Sequence, residues 1–483
     1  MKMETSKAEE NMETEPMENG ADMSPPGYDQ TDFDDTPQFI DMDAVTEVKV
    51  DDDVPMDDED DEVDGANADM GDEVESTEDV VDMSKTKIES HSDSVYAVSC
   101  FMSQSENGSQ QVLSVLSGGG DDKSFLHRIV ADNNGTPTSS SLPLPFTHTD
   151  TVSCSAFNLD FVSADLKKTP RLAAIGSFDG NILLYDPDSG EQKLRLEGPT
   201  DVEWLCFHPK GGSVLLAGSG DGTVWMFHVP LNKCLQVFVG HEQGVSAGAF
   251  SPDGKWALSA SADGTLRIWA PKTGVSKHMF RFGNPNEEQA GLTCMATHGG
   301  SDGQLVMVGA EDGMAHVCHI GTKKVVASLR HFDQPLNPTN GGDEDEEMQF
   351  PMSVEAVGFS PNNPNWCATG GVDGKLKIWD LARDGQCRHT CKTEEENDGI
   401  TRLRWHPTLP VIFVATGRGR IYTWDARNGN LLHTLTGHTN IVNEMDLHFM
   451  QDGNAVIVSA GDDKTIRVFD VDVGAIMQQQ AAA

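Results

Sequence analysis

Through most of the chain, short apolar runs are broken by Asp-Gly pairs and by stretches in which apolar and polar residues alternate. The clearest case is 257–269. Ala257, Leu258 and Ala260, with Ser259 between them, form a small apolar run suited to a buried strand. Asp263-Gly264 is a hairpin signal, because Gly tolerates a positive φ and Asp can bond its own backbone. Thr265, Arg267 and Trp269 then alternate with Leu266 and Ile268, the period of a strand. The same plan recurs at 119–129, 176–186, 218–229, 309–320, 370–380, 415–425 and 459–470. The turns fall at Asp121-Asp122, Asp179-Gly180, Asp221-Gly222, Asp312-Gly313, Asp373-Gly374, Arg418-Gly419 and Asp462-Asp463. A spacing of roughly 40 to 60 residues is that of propeller blades with insertions. The pattern predicts eight blades.

Further marks repeat with the turns. Thr147-His148, Gly240-His241 and Gly437-His438 precede three of them, and Trp379-Asp380 and Trp424-Asp425 close two, with Tyr185-Asp186 and Phe469-Asp470 as relaxed forms. On these residues the chain resembles the WD40 repeat family. The resemblance implies a hydrogen-bonded tetrad of His241, Ser259, Asp263 and Trp269, and a second of His438, Ser459 and Asp463 in which Phe469 has no indole N–H to donate. Such a chain of bonds ties the loop between blades to the hairpin turn and satisfies polar groups that would otherwise be buried unpaired. A hydrolase triad is a poor reading of the same residue types, because a triad occurs once and this set repeats.

The last repeat ends near Val471 with no outer strand of its own, and 85–89 sits before His91 as 433–437 sits before His438. The N-terminal segment is therefore expected to complete the last blade and close the ring, removing edges that would pair with other chains. The expected fold is all-β: a single eight-bladed WD40 β-propeller over 84–473, with a disordered acidic tail at 1–83 and a disordered C-terminal tail at 474–483. Three blades depart from the pattern. His127 stands where Trp is common, Asp201-Val202-Glu203-Trp204 opens a blade that lacks a Gly-His loop, and Arg418-Gly419-Arg420 replaces an Asp-Gly turn.

Charge sharpens the picture. The 483 residues carry a formal net charge of -44. Residues 1–83 hold roughly 31 Asp and Glu against 3 Lys, about -28, and leave about -16 for the remainder. A segment so acidic and poor in aromatics cannot bury enough apolar surface to fold. It is either a solubilising tail or a loose tether for a basic partner, acting over roughly 8 Å at physiological salt. A second acidic run occupies 341–347. No apolar window reaches the eighteen or so residues of a membrane helix, and the first residues lack the apolar core of a secretory signal. The 9 Cys are scattered through the repeats, which points to reduced thiols and a cytoplasmic home, with a nuclear one as well in the same reading. Cys387 and Cys391 lie four apart with no companion pair, so no metal is expected. Neither a phosphate-binding Gly loop nor a catalytic set is present, so no cofactor and no enzymatic activity are expected.

One mouth of the central channel is the candidate binding surface. The residue following the first Val, Ile or Leu of each innermost strand should face it: Tyr96, Ser153, Glu203, Ser246, Thr293, Glu355, Thr401 and Asn443. Asp201 and Glu311 should lie on neighbouring loops. Carboxylates grip guanidinium in a bidentate way and an aromatic face accepts a cation. Tyr96, Asp201, Glu203, Glu311 and Glu355 are therefore the candidate contacts for a basic peptide or protein, the alternative being ordinary solvated rim charges. Acid of this density repels phosphate, so direct nucleic-acid binding is not expected.

Beyond the repeat, the chain resembles the angio-associated migratory cell protein family. The residues that carry it are 201–204, His208-Pro209, Leu215-Leu216-Ala217-Gly218 with Trp225-Met226, the acidic loop before Ser353-Val354-Glu355, Trp424-Asp425-Ala426-Arg427 and the acidic N-terminal segment. The resemblance implies a monomeric escort for a basic client such as a newly made large-subunit ribosomal protein. A second reading is a ubiquitin-ligase substrate receptor or signalling adaptor, through Trp424-Asp425-Ala426-Arg427, although Arg418 stands where that docking box wants Asp.

Overall fold

The computed structural model describes residues 81–104, 110–131, 137–158, 172–211, 213–282, 289–298, 304–332, 352–395, 398–450 and 453–482. These form eight four-stranded antiparallel sheets. The innermost strands are Val95–Gln104, Val152–Asn158, Trp204–Phe207, Ala247–Phe250, Leu292–Thr297, Val354–Phe359, Ile400–Trp405 and Val442–Phe449, in blades 1 to 8. Each lies against the next, and the eighth lies against the first, so the ring is closed. The second and third strands of each blade are almost wholly buried because they are covered on both faces by neighbouring blades, and their near-continuous apolar runs reflect it.

Closure follows the spacing read from the sequence. Thr86–Ile88 pairs with the third strand of blade 8, with Thr86 opposite Val468 and Ile88 opposite Ile466. Ile88 is buried in a core that joins Val456, Val458, Ile466 and Val468 of blade 8 to Val95, Val98 and Val115 of blade 1. The attachment begins before residue 84. Val81 accepts a hydrogen bond from Thr436 Oγ1 at 2.6 Å, Met83 N–H donates to the Thr436 carbonyl at 2.9 Å, and Asp82 pairs with the buried guanidinium of Arg467. Residues 81–83 therefore belong with the propeller, although their composition matches the acidic tail. The rest of 1–83 and the acidic run at 341–347 lie outside the described residues.

The end of the chain differs from expectation. Val473–Ala482 is an α-helix rather than an unstructured tail over 474–483. Val473 is fully buried, and Ile476 and Met477 pack against a core containing Leu435, Val442 and Phe469. The glutamines mask this apolar face in a composition reading, because its anchor at Val473 sits immediately before them.

Candidate functional site

Six of the innermost strands carry a β-bulge at the same point: Tyr96, Ser153, Thr293, Glu355, Thr401 and Asn443 each stand as an extra residue after the first apolar one. Glu203 and Ser246 occupy the equivalent place one residue before the paired strand in blades 3 and 4. A bulge turns its side chain away from the ladder, so the six bulged positions, with Glu203 and Ser246, stand at equivalent places around the ring.

Five of the eight are used to join blades. Ser153 Oγ donates to the Val202 carbonyl, Ser246 Oγ to Leu292, Thr293 Oγ1 to Val354, Thr401 Oγ1 to Val442 at 2.6 Å, and Asn443 Nδ2 to Val95 at 3.1 Å. Each bond runs from the bulge position of one blade to the carbonyl of the residue just before that position in the next, and the last spans the closure from blade 8 to blade 1. The other three positions hold Tyr96, Glu203 and Glu355. An ionised carboxylate cannot donate to a carbonyl. In blade 3 the missing link is supplied by Trp204, whose Nε1 donates to the Val245 carbonyl at 2.9 Å. Its indole lies over Gly218 and Gly248, where a Cβ would fall about 2 Å from ring atoms, so both positions require glycine. Glu203 is thereby left free. Among the described residues the side chains of Tyr96, Glu203 and Glu355 make no hydrogen bond or ion pair.

Electrostatics distinguish Glu203 further. Burial, and then the neighbouring Asp201 carboxylate, push its pKa above the ordinary glutamate value. Its carboxylate is reached by solvent and has no cation beside it among the described residues. The other two candidates are committed to the scaffold. Asp201 Oδ1 accepts from Ser219 Oγ at 2.9 Å and from Gly220 N–H at 2.8 Å, replacing the absent Gly-His loop. Glu311 accepts from Gly291 N–H at 3.2 Å. The mouth thus brings Tyr96, Glu203 and Glu355 to equivalent positions on blades 1, 3 and 6, with Asp201 and Glu311 supporting the loops beside them.

Deeper in the channel are residues that the sequence reading missed. Arg402 and Arg404 cap the free edge of the blade 7 strand, donating to the Thr401 and Leu403 carbonyls, and both pair with Glu444 of blade 8, at 2.9 and 3.1 Å. Burial opposes ionisation of Glu444, but the two guanidinium groups outweigh it and lower its pKa. Asp446 accepts from Cys100 N–H at 2.8 Å, and burial raises its pKa. The period-two alternation Arg402, Arg404 facing Glu444, Asp446 was present in the sequence. Recognising it requires knowing that blades 7 and 8 set these strands side by side.

The tetrads lie outside the mouth and serve the scaffold. His241 bonds Asp263 at 3.0 Å and Ser259 at 2.7 Å, and Trp269 Nε1 donates to Ser259 at 2.7 Å. His438 bonds Asp463 at 2.9 Å and Ser459 at 2.8 Å, with Phe469 where the indole would be. Blade 6 holds a third set, with Thr in place of Ser: His331, Thr369, Asp373 and Trp379. In blade 1, His127 takes the place of Trp and bonds Ser117 at 2.8 Å. Blade 7 inverts the charges: Glu395 of the inter-blade loop pairs with Arg418 and Arg420 of the turn. Among the described residues no cluster of His, Cys, Asp and Glu could hold a metal ion. All nine cysteines are free thiols.

The repeat unit matches the WD domain, G-beta repeat, over 190–228, 232–270, 349–380 and 429–470. WD40 propellers are characteristically non-enzymatic scaffolds. The chain is 34% identical over 359 residues to the angio-associated migratory cell protein of Pongo abelii, and 33% identical to that of Homo sapiens, in each case across 74% of both chains. Among solved structures, Sqt1 of Saccharomyces cerevisiae superposes with a TM-score of 0.65 at 18% identity, covering 81% of this chain and 99% of that one. Sqt1 of Chaetomium thermophilum, bound to the N-terminus of the ribosomal protein L10, superposes with a TM-score of 0.61 at 20% identity, covering 81% and 100%. At these identities the likeness establishes the shared propeller fold.

Proposed function

The chain belongs to the angio-associated migratory cell protein family, and from that premise we propose that it is a protein-binding scaffold that escorts a basic client. The client is held by an Arg- or Lys-rich segment at the mouth where Tyr96, Glu203 and Glu355 stand. The observation that carries this reading is Glu203: open to solvent, freed by Trp204 from joining blades, beside the Asp201 carboxylate and without a cation among the described residues. A guanidinium arriving there would offset the repulsion between the Glu203 and Asp201 carboxylates. The fold neighbour with the N-terminus of ribosomal protein L10 bound supports a newly made ribosomal protein as the client class. Such a protein is strongly basic before it meets RNA, and an acidic surface would keep it from aggregating or binding RNA wrongly. On this reading the scaffold works in the cytoplasm, as a monomer.

The test is binding of the full chain to a fluorescent arginine-rich peptide by anisotropy. Reversing Glu203 and Glu355 to Lys should weaken binding at least about tenfold while the melting temperature holds. Unchanged affinity would place the site elsewhere. The adaptor reading gains no comparable support. Arg427 is folded onto Asp425 of its own Trp-Asp pair at 2.6 Å, and Arg418 is engaged with Glu395. Recovery of cullin-adaptor subunits rather than a basic protein with the purified chain would favour it.

A further inference from the structure

The carboxylates of the mouth that lead the binding reading stand on blades 3, 5 and 6, whereas blades 8, 1 and 2 carry exposed apolar side chains, with Asp93 beside Tyr96 on blade 1. The blade equivalences define two further sets of residues on the same face. The hairpin turns present one side chain each, at the residue whose N–H bonds the carbonyl two residues before the bulge: Phe178 in blade 2, Glu311 in blade 5, Val372 in blade 6 and Asp462 in blade 8. That carbonyl belongs to Thr151 in blade 2 and to Ile441 in blade 8. Three large apolar side chains on this face are exposed to solvent: Ile441 at 38%, Tyr96 at 41% and Phe178 at 37%. They stand on blades 8, 1 and 2, which are consecutive across the closure. Asp201 and Glu203 follow at once on blade 3, and Glu311 and Glu355 on blades 5 and 6. Asp462 on blade 8 is engaged by Asn443 Nδ2 at 2.7 Å.

We propose that this arc of Ile441, Tyr96 and Phe178 is a docking site for an apolar side chain of the same basic segment, so that the mouth recognises an amphipathic sequence and not charge alone. This rests on the reading of the mouth as the binding site for a basic client. The occupant follows from the neighbouring charge: an extended segment with a cation at Glu203 of blade 3 that continues along the rim passes onto blades 2 and 1. Packed sheets are about 10 Å apart, and an extended chain advances about 3.3 Å per residue. A Phe, Leu or Ile about three residues from the nearest Arg would therefore sit against Phe178 while that Arg reaches Glu203. Hydrophobic contact at an exposed aromatic adds affinity that salt does not screen, whereas the carboxylate contacts weaken as salt rises.

The test uses the full chain and two fluorescent peptides of equal charge, each with three arginines. One carries Phe three residues from the first Arg, the other Ser at that place. The Phe peptide should bind about tenfold more tightly, and the advantage should survive in raised salt. Phe178→Ser and Ile441→Ser should each bring the Phe peptide down toward the affinity of the Ser peptide, with the circular dichroism melt reporting the fold. Equal binding of both peptides to the native chain, with loss of both on reversing Glu203 and Glu355, would overturn the apolar site and leave the basic one standing. If neither peptide binds the native chain, the basic-client reading fails and this inference with it.

Discussion

At the residue scale the protein turns on what each bulge side chain can donate. Ser, Thr and Asn can donate to the carbonyl of the next blade, and where they occur the side chain is consumed by the ring. Glu cannot, so the Glu203 and Glu355 carboxylates are not consumed by the ring, and the proposed reading makes them the contacts of a basic client. Trp204 makes this tolerable in blade 3 by bonding the Val245 carbonyl in place of the missing donor. Gly248→Ala should drive the indole out, because its Cβ would fall on the ring; the expected loss is roughly 2–3 kcal/mol, read by urea denaturation. Glu203 also has a pH signature. Its pKa is raised by burial in the free protein, and a bound cation favours the charged form, so binding weakens on acidification as the free carboxyl takes up its proton. That loss should begin above the ordinary glutamate value of about 4.3, and in Glu203→Gln the residual binding should fall only within the ordinary range. Peptide titrations at a series of pH values check it.

At the element scale the seams hold the most information. The strand Thr86–Ile88 and the helix Val473–Ala482 both pack onto blade 8, one completing its sheet and the other covering its core. Deleting 473–482 removes the buried Val473 and the partly buried Ile476 and Met477 from the core around Leu435, Val442 and Phe469, and should cost roughly 2–4 kcal/mol in thermal or urea unfolding without altering peptide binding at the mouth. A deletion that left stability unchanged would mean the helix adds no net packing. Blade 7 shows how a seam survives a broken motif: with Arg at the turn, the acid moves to the loop, and Glu395 with Arg418 and Arg420 restores the tie with its charges exchanged.

At the scale of the whole molecule, buried histidine–aspartate pairs bind the blades and set the response to acid. Burial lowers the pKa of His91 and His148, and pushes that of His127 down to about 3. Asp121 and Asp179 are lowered too, because hydrogen bonds and the paired histidines outweigh their burial, and Asp373 falls to about 2 for the same reason. Every one of these folded-state values lies below its unfolded one. Each group therefore contributes stability above its unfolded pKa, lost as the pH falls. The histidine share should begin to go below about 6.5 and the aspartate share below about 3.9. A melting temperature flat from pH 7 to 5 would contradict this.

Much of the fold was legible in the residues. The Asp-Gly turns, the period-two runs and the displaced strand at 85–89 specify eight blades and their closure, because turn geometry and strand alternation are local and closure follows from counting strands. The tetrads of His241 and His438 could be placed by the same register. What required the tertiary structure were relations between blades. Asp201 and Glu203 are two residues apart and equally acidic, yet one is tied to Ser219 and Gly220 while the other is free, and only the neighbouring hairpin and Trp204 separate them. The Arg402–Glu444 pair joins residues distant in the chain whose strands become adjacent only on assembly. Sequence determined which side chains stand at equivalent places on the innermost strands; packing between neighbouring blades decided which of them are left unspent, since a polar group is available to a partner only after the scaffold's own donors and acceptors have been matched.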